Sequence, residues 1–282
     1  MKLVRFGPIG QEKPGLLDRD GVVRDLSGQI NDIDSSTLDA QTLARIAALD
    51  LDRLPIAPEG QRLGPCVARP GKFVCIGLNY HDHSKETGMP VPTEPVVFMK
   101  ATSSISGPHD DVRMVRGSTK SDWEVELGVV IGKPVKYITP DEALDCVAGY
   151  CLINDLSERE WQLERGGNWS KGKSADSYGP IGPWLVTPDE VNDPQALDLW
   201  LDLNGKRMQQ GNTSDMVFPV RELIAYLSQC MSLDVGDVVA TGTPAGVGLG
   251  HKPPLFLSDQ DELHLGITGL GEQRYRMIAD NS

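Results

Sequence analysis

The sequence is poor in the groups that mark export, membranes and nucleic-acid binding. It has five cysteines, Cys66, Cys75, Cys146, Cys151 and Cys230, with no CxxC pair and one left over. That points to reduced thiols in a cytoplasm rather than a disulfide framework, and a thiolate nucleophile is not expected. Most should pack as small apolar side chains. No apolar run approaches the roughly 20 residues that cross a bilayer, so no membrane partner is expected. The opening MKLVRFGPIGQEKPG lacks the apolar core of an export signal. Lys and Arg number 27 against 40 Asp and Glu, a net charge of −13, and no basic cluster is present to neutralise a phosphate backbone. Nucleic acid is therefore not an expected partner.

What is present reads as globular: 39% hydrophobic and 24% charged residues. A small N-terminal domain is expected over residues 1–68 and a larger one over 69–282. In the first, LLDRDGVVRDLS places two apolar runs around Asp20-Gly21, a hairpin signal. SSTLDAQTLARIAAL then carries Leu43, Ile46 and Ala47 at helical spacing after Ser/Thr candidate caps. The Pro- and Gly-rich PIAPEGQRLGPCVARPG reads as a connector.

Beyond it, KFVCIGLN, PVVFMK, WEVELGVVIG, AGYCLIND, LDLWLDLNG, DVVATGTP and ELHLGI read as strands. Helices are few. TPDEALDCVAG opens with a capping box, Thr139 with Glu142, and SEREWQLERGG repeats the device with Ser157 and Glu160. FPVRELIAYLSQCMSL, with Leu223, Ile224, Leu227 and Met231, is the clearest amphipathic helix. Strands outnumber helices without alternating with them, so the class is α+β and mostly β rather than a doubly wound parallel sheet.

Glu124 and Glu126 interrupt the strand DWEVELGVVIG. At a two-residue period they share a face opposite Trp123, Val125 and Leu127. They either form an exposed polar face or flank a cation that offsets their repulsion. Asp155 ends AGYCLIND at the sheet's rim; it either bonds turn amides or supplies a third oxygen ligand. Three hard oxygens without His or Cys suit Mg²⁺ or Mn²⁺, whereas zinc would want nitrogen or sulfur.

In GLNYHDHSKETG, His83 and Glu86 stand three apart and share a face of a helical turn that Gly88 can close. A carboxylate beside imidazole fixes its tautomer, an arrangement suited to activating water; the alternative is an exposed salt bridge. His81 reads as a surface residue, and His109, His251 and His264 lack comparable neighbours. NWSKGKSADSYGPIGP reads as a Gly/Ser-rich loop in which a lysine either is solvated or stabilises an oxyanion. VVATGTPAGVG puts Thr241 and Thr243 in a Gly-rich turn whose amides and hydroxyls could hold a carboxylate.

In order, GLNYxxHxxE, WEVELGVVIG, NDLSERExQ, WSKGKSxDxxxPxGP and TGTPAGVG resemble the fumarylacetoacetate hydrolase family, from about Lys72 to about Ile278. Within it the closest likeness is to hydrolases of 2,4-diketo-3-deoxy sugar acids of the L-rhamnonate and L-fuconate type. The resemblance implies a mixed β-sandwich roll with a small N-terminal α/β unit, a homodimer, and Mg²⁺ or Mn²⁺ on Glu124, Glu126 and Asp155. It implies His83 and Glu86 as the water-activating dyad on a lid, and Lys173 as the group that steadies developing negative charge. Tyr80, Arg159, Gln162 and Thr243 match substrate-binding positions. The implied reaction is hydrolysis of the C3–C4 bond of a 2,4-diketo acid of sugar-acid (L-rhamnose) catabolism, giving pyruvate and a hydroxy acid such as lactate. Decarboxylation of a β-keto acid such as oxaloacetate, isomerisation of an unsaturated diacid, and a non-enzymatic fold with a structural Ca²⁺ are the alternatives. One departure stands out: the acylpyruvase branch often has arginine before the Asn-Tyr of the first motif, and here the residue is Leu78. That favours a neutral hydroxylated tail over a second acidic group.

Overall fold

The computed structural model describes residues 1–280. Its largest sheet runs β3 (Val23–Asp25), β2 (Lys13–Leu17), β1 (Lys2–Phe6), β13 (Leu185–Val186), β10 (Val147–Asn154), β9 (Val125–Ile131), β16 (Val238–Ala240), β4 (Phe73–Gly77) and β5 (Val96–Lys100). A five-stranded sheet runs β15 (Lys206–Asn212), β14 (Asp198–Leu203), β17 (Glu262–Ile267), β18 (Gly271–Ile278) and β7 (Val112–Arg113). Two short pairs complete it: β11 (Ser157–Glu158) with β8 (Ser121–Asp122), and β12 (Gly179–Pro180) with β6 (Ile105–Ser106). Pairing is mostly antiparallel, but β16 and β4 run parallel. This is the expected α+β, mostly strand architecture.

Strand β9 shows how the sequence drives the layers. Val125, Leu127, Val129 and Ile131 enter a large apolar cluster that also takes Leu199, Leu201, Leu263 and Leu265 from the five-stranded sheet. Val130, on the other face, joins a second cluster with Leu3, Leu16, Ile46 and Phe73. The strand is buried on both sides, which is why it reads as a near-continuous β-branched run. Glu126 shares Val130's face by the two-residue period.

The Asp20-Gly21 hairpin forms between β2 and β3. Helix α1 (Ala40–Ala47) follows, but Asp39, not a Ser or Thr, caps it by accepting from the Thr42 amide. β1 extends the central sheet through β13, and the second cluster draws on residues from both sides of position 68. Of the other helices, α5 (Val220–Cys230) buries Leu223, Ile224 and Leu227 as expected. α3 (Pro140–Ala143) carries the Thr139–Glu142 capping box. The second box does not form: Ser157 lies in β11 and its hydroxyl donates to Asp155 O, while Glu158 accepts from the Trp161 amide. A single π-helical turn, Glu160–Glu164, replaces the expected α-helix. The lysine stretch is likewise not all loop, since Trp169–Lys173 forms α4 with Asn168 as its cap.

Candidate active site

β9 and β10 deliver the acidic groups. Their register places Glu126 opposite Ile153 and Val125 opposite Asn154, so Glu124 and Asp155 emerge together at the strand ends, joined by Asp155 N–H to Glu124 O at 2.9 Å. All three carboxylates are buried, and one ligand oxygen from each lies within 4.8 Å of the others. Neither the exposed polar face nor the turn-amide role for Asp155 is realised. Lys100 Nζ lies 2.6 Å from Asp155 Oδ1, and Lys173 Nζ lies 2.6 Å from Glu124 Oε2 and 2.7 Å from Asp155 Oδ2. Arg159 Nη2 pairs with Glu124 Oε1 at 2.7 Å.

These contacts divide the charge unevenly. Burial acts to raise the Glu124 carboxyl, but Lys173 and Arg159 outweigh it and hold it down at about 2. Among the described residues no Lys or Arg pairs with Glu126, whose Oε2 accepts only from the Gly242 amide at 2.8 Å. Burial, then Asp155 and Glu124, push its carboxyl well above the usual range. A buried carboxylate with two anionic neighbours and no cation of its own fits a divalent ion. The all-oxygen donor set suits Mg²⁺ or Mn²⁺.

A cavity of about 590 Å³ opens beside these groups. Eight of the ten expected site residues line it: His83, Glu86, Glu124, Glu126, Arg159, Gln162, Lys173 and Thr243. Asp155 lies behind the wall, fully buried. Tyr80 is fully buried too and does not line the cavity; its hydroxyl has no hydrogen-bond partner. Burial first, and Glu126 next, push that phenol well up, so it stays neutral.

His83 and Glu86 sit on α2 (His81–Thr87), which Gly88 ends in the left-handed region at φ +69°. His83 is buried rather than an exposed ion-pair partner, and its Nδ1 lies 3.2 Å from Glu86 Oε2. A carboxylate only accepts, so it selects the tautomer protonated on Nδ1 and leaves Nε2 as the base. Leu78, just before the helix, is also left-handed, at φ +54°, and lines the cavity.

Arg159 and Gln162 share a face, with Nη1 donating to Oε1 at 2.9 Å. This leaves the Gln162 amide N–H groups for a ligand. Lys173 spends two of its three donors on Glu124 and Asp155. The Thr243 hydroxyl donates to Val125 O and accepts from Gln209 Nε2, so it braces the turn against β9.

Two residues escaped the sequence reading. Lys100 closes PVVFMK and gave no signal except its place at a strand end. His251, set aside for lack of neighbours in sequence, lines the cavity and packs on Trp123, with its Nε2 buried and unpartnered. His264, set aside with it, pairs on the surface with Glu272 at 2.8 Å.

A carboxylate cradle for a hard divalent cation, facing a His–Glu pair across one cavity, is the layout of a metal-dependent enzyme. The chain belongs to the fumarylacetoacetate hydrolase family: the family's C-terminal domain, described as "Fumarylacetoacetate (FAA) hydrolase C-terminal", matches residues 72–278. A Burkholderia multivorans protein carrying a provisional hydrolase name is 61% identical over 274 residues, 97% of each chain. The solved fumarylacetoacetate hydrolase of Exiguobacterium antarcticum is 35% identical over 99% of both chains, with a TM-score of 0.87. Maleylpyruvate hydrolase of Sphingobium sp. SYK-6, solved with manganese(II) and pyruvate, is 29% identical over 99% of both, TM-score 0.81. A 5-carboxymethyl-2-hydroxymuconate delta-isomerase from Mycobacterium smegmatis is 27% identical over all of both chains, TM-score 0.79.

Proposed function

We propose that this protein is a Mg²⁺- or Mn²⁺-dependent hydrolase that cleaves the C3–C4 bond of a 2,4-diketo acid of acylpyruvate type. The supporting observation is that Glu124 and Glu126, with Asp155 clustered just behind them, line the same cavity as the His83–Glu86 pair. Glu124, Glu126 and Asp155 would hold a divalent ion, which would supply Lewis-acid stabilisation of the charge that develops on the 2-oxo acid. His83 Nε2 takes a proton from water while Glu86 holds Nδ1–H, and the water oxygen adds to C4. The remaining Lys173 donor and the Gln162 amide stabilise the oxyanion. The C3–C4 bond then breaks, its electron pair goes to C3, and protonation there gives pyruvate beside the acid from C4.

For the tail, Leu78 favours a neutral, hydroxylated chain, as in 2,4-diketo-3-deoxy-L-rhamnonate or L-fuconate, which would release lactate. Lys85 and Lys252 also line the cavity and carry no ion pair among the described residues, which favours an acidic tail. A panel of acylpyruvates, 2,4-diketo-3-deoxy sugar acids, oxaloacetate and unsaturated diacids, run with each metal, tests both. Pyruvate release from diketo acids alone is the expected result. Turnover confined to oxaloacetate or to isomerisation would reject the hydrolytic reading. A homodimer in a cytoplasm remains part of this proposal.

A further inference from the structure

We infer that Asp122 is a positioning residue that holds the two halves of the site in register, acting on Glu86 through the Gly246–Gly250 turn and on Glu124 through Arg159. The inference rests on the proposed hydrolase for the meaning of Glu86, but not for the geometry.

Asp122 is fully buried in β8, and its two oxygens accept four hydrogen bonds. Oδ1 takes the amides of Trp123 at 2.8 Å and Gly248 at 2.6 Å. Oδ2 takes the Leu249 amide at 2.9 Å and Arg159 Nε at 2.8 Å. The same turn fixes Glu86. Gly246 N–H donates to Glu86 Oε1 at 2.9 Å, and the Gly250 backbone lies so near that an added Cβ would collide with the Glu86 carboxyl carbon. Trp123 reinforces the turn by donating Nε1–H to Gly246 O at 3.0 Å. One carboxylate therefore ties the wall beside the dyad to the arginine that pairs with Glu124.

All four partners of Asp122 are donors. In Asp122→Asn the amide nitrogen must face two of them whichever way the side chain turns, so two bonds are lost and like groups are opposed. The side chain keeps its size. Glu86 should lose its backing, and the His83 tautomer should lose its enforcement.

The test reads that tautomer directly, with no substrate. Imidazole ¹⁵N shifts of His83, assigned with a His83→Gln sample, are compared in the wild type, Asp122→Asn and Glu86→Gln, with thermal melts run alongside. We expect Glu86→Gln to move the proton to Nε2 and Asp122→Asn to shift the populations in the same direction. Unchanged His83 shifts in a folded Asp122→Asn protein would overturn the inference. Should that variant not fold, Gly248→Ala takes its place, since its methyl would press on Asp122 Oδ1 and Leu255 O and push the turn away. Unchanged shifts there would overturn the inference equally.

A kinetic cycle adds the functional reading. Asp122→Asn should lower kcat about 10–100-fold in the wild-type background and by a clearly smaller factor in Glu86→Gln, where only the Arg159–Glu124 arm is left to lose, because residues acting through one another do not add. Equal losses in both backgrounds would mean that Asp122 acts independently of Glu86, overturning the coupling. A wild type inactive on every diketo acid would count against the proposed reaction, while the imidazole measurement would still decide the role of Asp122.

Discussion

The two ends of the cavity are built by different means. The acidic end grows from the middle of the nine-stranded sheet, and each carboxylate there is buried and held by short contacts to Lys100, Lys173, Arg159 or the Gly242 amide. The dyad end rides on a two-turn helix outside both sheets, followed by the exposed stretch Met89–Val91. Its ties are fewer: Asp82 N–H to Asp215, the Ala245 amide to Asp82, and the Gly246 amide to Glu86. Holding like charges together in a desolvated interior needs fixed cationic and amide partners, because a low dielectric strengthens both the repulsion and those contacts. Moving a proton to and from water needs a group that reaches an opening. Under the proposed function, charge storage and proton transfer should therefore be separable in this molecule.

The largest effect should come from breaking the acidic end. Glu126→Gln removes the carboxylate that has no cationic partner, and turnover should fall on the order of 10³-fold or more, since a Lewis acid contributes several kcal/mol. The same variant should lose most of the melting-temperature rise that Mn²⁺ gives the wild type; near 100-fold saturation that rise corresponds to about 2.7 kcal/mol. Retention of both activity and the Mn²⁺ response would remove Glu126 from the site.

Breaking the dyad end should leave the other intact. His83→Ala should cost about 10²–10⁴-fold in hydrolysis, with the Mn²⁺ shift in melting temperature preserved. If the variant loses that shift as well, the two ends are not separable. If it still releases carbon dioxide from oxaloacetate, the water-independent reading gains.

A smaller effect sharpens how α2 is fastened. Burial first, and the nearby Asp215 carboxylate next, raise the half-buried Asp82 carboxyl above its ordinary value. A raised carboxyl favours the folded state below the unfolded value near 4, and that advantage is lost as pH rises through the folded value. Asp82→Asn, which keeps the acceptor for Ala245 and can donate to Asp215, should therefore match the wild type near pH 3. It should melt about 1–3 °C higher at pH 7. A difference that is constant across this range would show that Asp82 charge has no part in it.

Much of this was legible in the chain, for a local reason. The short apolar runs became β4, β5, β9, β10, β14, β16 and β17 because their side chains suit a sheet buried on both faces or one. β15 and β18 were passed over because they carry Lys206, Arg207, Glu272, Arg274 and Arg276. In β18 the period-2 signal was present all along, with Gln273, Tyr275 and Met277 turned inward between exposed charges. The Ser157 box does not form because that segment pairs with β8 instead, a long-range contact that no local pattern carries. The acidic trio and the dyad were visible as unusual residues inside regular elements. Lys100, His251 and Asp122 were not, because their partners lie far away in sequence.

The helix that bears His83 is bounded by two residues of reversed backbone hand, Leu78 before it and Gly88 after it. Only one is a glycine, so Leu78 accepts about 1 kcal/mol or more of strain to hold its side chain at the cavity. Residues 78–88 thus form a segment between two residues of reversed hand, carrying His83, Glu86 and part of the cavity wall, while Glu124, Glu126 and Asp155 lie outside it, on and beside β9 and β10. Under the proposed function, exchanging this one eleven-residue segment would alter the base pair and one part of the cavity wall without touching a carboxylate of the acidic trio.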